Sequence, residues 1–126
     1  MPDKPLYWVG SSLGDLKTFP ASVQRMMGFA LRQAQGGDKH EDAKPLSGFS
    51  GAGVLEVVEQ HAGNAYRAVY TVRFSDAVYV LHAFQKKSKR GIATPQKEID
   101  LVHQRLARAQ EMHEEYLRQR SAGEQP

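Results

Sequence analysis

The chain contains no cysteine among its 126 residues. A disulfide framework, a thiolate nucleophile and a cysteine-built zinc site are therefore excluded. Long apolar runs are missing too. Nothing approaches the roughly 20 residues of a membrane span. The opening MPDKPLYWVG has no apolar stretch of the length a secretory signal uses. These absences predict a cytoplasmic protein with no membrane partner. The glycine-rich stretch KPLSGFSGAG lacks the Gly-Lys-Ser/Thr ending of a phosphate loop, and no serine sits in a nucleophile-elbow motif. His61, His82 and His103 show no ligand-like spacing with acidic residues, so neither a metal nor another cofactor is expected.

Positive charge is present, and it is concentrated. Between Ala62 and Lys97 seven basic residues face one acidic residue, Asp76, a local charge of +6. The whole chain carries +3, so the remainder carries −3. A basic middle in a small, otherwise acidic protein points to a polyanionic partner. The densest part is HAFQKKSKRG, in which Lys86, Lys87, Lys89 and Arg90 follow directly on an apolar run. A solvated lysine-rich loop is the plain alternative.

The length suits one domain, here 1–120 with a disordered tail 121–126. Leu6 to Val9 reads as a short edge strand, and SSLGDLKTFP as a short helix. From Pro20 to Gln35, Val23, Met26 or Met27, Ala30, Leu31 and Ala34 recur at helical spacing until Gly36-Gly37 stops the pattern. Three strand-like runs follow: Val54 to Gln60, Tyr66 to Phe74 and Ala77 to Gln85. The short connections His61–Asn64 and Ser75-Asp76 predict an antiparallel meander. A helix from about Pro95 to Arg118 closes the chain, with Thr94 as N-cap and Ile99, Val102, Leu106 and Ala109 as its apolar stripe. The predicted class is α+β: two N-terminal helices, a small antiparallel sheet of three to four strands, and a C-terminal helix.

Alternation in the second run places Tyr66, Ala68, Tyr70, Val72 and Phe74 on a core face. Arg67, Val69, Thr71 and Arg73 then share the other face, with the two arginines about 20 Å apart. The third run is apolar on both sides in its middle, as a central covered strand would be. By the same alternation His82 shares a face with Val78, Val80, Phe84 and Lys86. A lone histidine there is either a satisfied structural residue or a proton-transfer group. Arginines, crowded lysines and a histidine suit metal-independent cleavage of RNA by its own 2′-OH. That chemistry needs a base, cations for the phosphorane and an acid for the leaving oxygen. Crowding lowers a lysine's pKa, which makes Lys86 and Lys87 candidates for base or acid.

KPLSGF, GVLEVVE, AYRAVYTVR and YVLHAFQKKSKRGIATPQKEIDLVHQRL together resemble the RelE/ParE superfamily of bacterial toxins, and within it the phage-derived HigB-type group. The resemblance runs from about Trp8 to Ala109. It implies a RelE-like fold and a type II toxin–antitoxin system. Its partners would be a cognate antitoxin, of helix-turn-helix type, and mRNA on the ribosome, which the toxin would cut as an mRNA interferase. It places Arg67 at the scissile phosphate, Lys86 and Lys87 at the late basic catalytic group, and His82 at a recurrent family position. Arg73, Lys89 and Arg90 are assigned to RNA contact by charge. Where the family often reads E-L-R, this chain has Glu56-Val57-Val58. The alternatives of a ParE-like gyrase inhibitor and a non-catalytic nucleic-acid-binding phage module stay open.

Overall fold

The computed structural model describes residues 3–49, 53–87 and 94–124. The elements run β1 (Leu6–Trp8), α1 (Ser12–Leu16), α2 (Ala21–Gln35), β2 (Lys44–Pro45), β3 (Val54–His61), β4 (Asn64–Thr71), β5 (Val78–Lys87) and α3 (Gln96–Glu124). The class is α+β, as the sequence predicts. The sheet is a correction. It has five strands in the order β1-β5-β4-β3-β2 and is mixed, because β1 pairs parallel with β5. Helices α1 and α2 intervene between β1 and the hairpins, and such a crossover is what a parallel pairing requires.

The β3–β4 connection is a two-residue turn. Ala62 and Gly63 both have positive φ, +50° and +82°, between the paired residues His61 and Asn64. Positive φ at both central positions gives the backbone twist that suits a tight hairpin. Gly10 closes β1 at φ +56°, and a Cβ there would lie 2.9 Å from Arg105 Nε. Both the backbone and the neighbouring guanidinium therefore demand glycine.

The sheet is covered on both faces. On one, Val23, Met27, Ala30, Leu31 and Ala34 of α2 bury against Val57, Tyr66, Ala68, Tyr70, Val78 and Val80. On the other, Val102, Leu106 and Ala109 of α3 pack on Val54, Val69, Tyr79 and Leu81. The helical stripes read from the sequence are thus the two core faces, with Met27 rather than Met26 fully buried. The central position expected for the third run is also observed, with β5 lying between β1 and β4.

Three local expectations change. The face of β4 that carries Arg67 is roofed by α3, and Val69 and Thr71 on it are fully buried. Phe74 lies beyond the end of β4 and joins the α3 side, 5.3 Å from Tyr79 and 4.2 Å from His113 between ring centres. Of the expected tail, residues 121–124 continue α3, Gly123 included.

Candidate functional site

The site grows from one irregularity in the β4–β5 ladder. Val69 pairs with His82 but Tyr70 pairs with Val80, which leaves Leu81 as an inserted residue, a β-bulge. The bulge resets the alternation. Val78 and Val80 face α2, whereas Tyr79, Leu81, His82 and Phe84 face α3. The grouping of His82 with Val78 and Val80 read from strict alternation is corrected by this one extra residue. Phe84 and Lys86 do share its side.

Under the first turns of α3, His82 uses both ring nitrogens. Nε2 bonds the Glu98 carboxylate, and Nδ1 lies 3.2 Å from Arg105 Nη1. A guanidinium can only donate, so Nδ1 is the acceptor and the proton sits on Nε2. Arg105 also donates to the Leu81 carbonyl at 3.0 Å and to Ser11 Oγ at 3.0 Å. One buried histidine thereby ties β5, α3 and the start of α1 together. It does not line the cleft described next.

Arg67 leaves β4 on the α3 side, beside Glu56 of β3. Its Nη1 is 2.9 Å from Glu56 Oε1, and each side chain is only 13% exposed. The Thr94 hydroxyl donates to the other carboxylate oxygen at 2.8 Å. Thr94 was expected to cap α3; its side chain instead bonds across to β3, because Glu56 presents a charged acceptor there. These three residues form the floor of an open cleft of about 510 Å³, whose walls include Lys44, Gln96 and His103. The exposed His103 ring stacks on Phe49 at 4.0 Å, which fixes one of its faces. The cleft thus sets a carboxylate, a guanidinium, an ammonium and an imidazole around one space.

Of the residues predicted for function, Arg67 is in this cleft. Lys86 is opposite Ala65 on the same side of the sheet, at the end nearest Arg67. Lys87 closes β5 opposite Asn64. Arg73 is exposed beyond the other end of β4, next to Gly53, and is not brought together with the rest. Lys89 and Arg90 lie outside the described residues. Glu56 and His103 are the side chains that sequence reasoning passed over. The signal for Glu56 was a lone acid in the apolar run Val54–Val58, two residues from Val54 and so on the same face.

A mixed sheet between a helical pair and one long helix is the RelE-type fold. A free-state mutant of the E. coli toxin RelE matches with a TM-score of 0.50 at 18% identity, over 65% of this chain and 82% of that one. The toxin–antitoxin complex RelBE2 from Mycobacterium tuberculosis matches at 20% identity over 70% and 97% of the two chains, with a TM-score of 0.41. No curated protein sequence matches. Residues 14–107 match the family described as Phage derived protein Gp49-like (DUF891), and the chain belongs to that family. The kinship expected from the sequence is borne out in family and in fold.

Proposed function

We propose that this protein is the toxin of a type II toxin–antitoxin system and that it cuts mRNA on the ribosome without a metal. The observation that carries the reading is the Glu56–Arg67 pair on the floor of a cleft that His103 and Lys44 also line. RNA cleavage by its own 2′-OH needs each of these groups. Glu56 takes the 2′-OH proton as the new 2′-O–P bond forms. Arg67 meets the charge that builds on the phosphorane oxygens. The His103 imidazolium gives its proton to the departing 5′-oxygen as the P–O5′ bond breaks. The products are a 2′,3′-cyclic phosphate and a 5′-hydroxyl. Lys44 and Lys86, with Lys87, Lys89 and Arg90 further along the chain, attract the RNA backbone. His82 acts through packing, by seating α3 and with it His103.

Glu56 supplies the base in the strand where Val58 stands in place of the arginine of E-L-R. The same pair also favours a second reading. A guanidinium already neutralised by a carboxylate suits a protein that binds nucleic acid, or a gyrase, without cutting. Inducing the chain alone and mapping RNA ends separates them. Codon-phased ends with 5′-hydroxyls, lost in Glu56→Gln, support cleavage. Growth arrest with intact mRNA and a DNA-damage response supports gyrase poisoning. Absence of toxicity supports binding alone.

A further inference from the structure

Away from the Arg67 cleft, a second and larger one, of about 560 Å³, opens between β1, β5 and the C-terminal half of α3. Its floor is aromatic. Tyr7 is 5.3 Å from Tyr79 and 5.8 Å from Tyr116 between ring centres. Tyr79 turns its hydroxyl inward to His113 at 3.1 Å. The rim is acidic. Glu111, Glu114 and Glu115 fall within five positions of α3 with no lysine or arginine among them, and all three are exposed; the intervening His113 is buried against Asp76. The rim arginines Arg108 and Arg118 are held by Glu111 and Glu115 at 3.2 and 2.6 Å. Their charge is thereby cancelled, and Glu114 is left in excess. Asp76 lies close by, paired with His113 Nε2 at 2.9 Å and with Arg120 Nη1 at 3.8 Å. Together with burial, which is the larger cause, its charge helps push the Tyr79 phenol up to about 12.

In a chain of net charge +3 this is a local inversion of sign. Tyrosine faces beneath a carboxylate rim attract a cation by its charge and by the ring quadrupoles. They repel a phosphate backbone, so the cleft is unsuited to RNA. We propose that it docks a basic segment of a partner protein, with a lysine or arginine side chain seated on the rings of Tyr7 and Tyr116. The site is independent of the RNA chemistry proposed for Arg67 and Glu56.

The test uses the intact protein, isotope-labelled, and two probes: the peptides acetyl-Gly-Arg-Lys-Arg-Gly-amide and acetyl-Gly-Glu-Asp-Glu-Gly-amide. At about 1 mM, a weak-binding regime, the basic peptide should shift resonances of Tyr7 and of residues 111–119, and the acidic one should not. Tyr116→Ala and, separately, the exposed Glu114→Lys should each weaken binding about tenfold, with RNA cleavage by either variant unchanged. Equal binding of the acidic peptide would overturn the proposal, as would shifts centred on another acidic patch such as Glu41 and Asp42. Silence at this concentration would do the same. If dilution alone moves the same resonances, the occupant is a second copy of the chain and the proposal fails.

Discussion

Glu56 and Arg67 meet at 2.9 Å across neighbouring strands, each almost wholly shielded from water. A buried pair of this kind is poor evidence for stability in itself, yet removing one partner strands the other charge at a cost of about 3–5 kcal/mol. Arg67→Ala therefore confounds folding with function. Glu56→Gln keeps the shape and the oxygen that accepts from Thr94 while removing the base. The expected outcome is a loss of cleavage per folded molecule of about 10²–10⁴-fold, with a lower melting temperature because the Arg67 charge loses its partner. Single-turnover cutting of a synthetic RNA on ribosomes, beside a thermal melt, measures both. Cleavage at the parental rate in a folded Glu56→Gln protein would remove Glu56 from the mechanism.

His82 was a candidate for proton transfer, and its surroundings assign it to the scaffold. Both nitrogens are consumed, by Glu98 and by Arg105. His82→Ala leaves the buried ends of two charged residues without their partner. Hydrogen bonds to charged groups weigh about 1.5–3 kcal/mol each, so the variant should lose about 3 kcal/mol. Nitrogen NMR of the wild type should report a single tautomer protonated at Nε2. Cleavage per folded molecule should fall less than tenfold. A stable His82→Ala protein with no activity would return His82 to the chemistry.

Much of this was legible in the sequence, and the misses have physical causes. The stripes of α2 and α3 were visible because helical periodicity survives small errors of boundary. Arg67 stood out by charge. What alternation cannot register is an inserted residue: the bulge at Leu81 inverts the face of everything before it on β5. Nor does a strand announce what roofs it: alternation groups Val69 and Thr71 with Arg67 but says nothing of the α3 cover over them. Glu56 enters the sequence reading only as the acid that opens Glu56-Val57-Val58, the stretch in which Val58 stands where the family often has arginine. Its partnership with Arg67 depends on the β3–β4 register, which the two-residue turn at Ala62-Gly63 sets.

Tyr70 is fully buried on the α2 side, and its hydroxyl has no hydrogen-bond partner among the described residues. Burial pushes its pKa up to about 12, against about 10 in the unfolded chain. Between those values the folded state holds a proton that the unfolded state has lost. The stability this contributes is complete below pH 10 and drains away as pH rises towards 12. Tyr70→Phe removes both the orphaned hydroxyl and its titration. The variant should be about 1 kcal/mol more stable at pH 7, and its denaturant midpoint should fall less between pH 9 and 11 than that of the wild type. A destabilised variant would mean that the hydroxyl has a partner, such as a buried water.

The β3–β4 turn offers a change that touches no functional group. Ala62 holds φ at +50°, a left-handed conformation that its Cβ opposes, whereas Gly63 at +82° is at ease. Left-handed backbone costs an ordinary L-residue about 1–2 kcal/mol. Asparagine tolerates it better, since its short amide bonds locally to the backbone, and Asn-Gly is the favoured pair for this hairpin turn. Ala62→Asn should therefore stabilise the protein by about 1 kcal/mol and raise the melting temperature by about 4 °C. Ala62→Val should do the reverse, because β-branching makes the positive φ worse. The turn fixes which residue of β3 faces which residue of β4, so the valine variant should also loosen the Glu56–Arg67 pairing and lower cleavage with stability. Equal melting temperatures for the alanine, asparagine and valine proteins would show that the hairpin relaxes to another turn at no cost, and that the register is held by the strands alone.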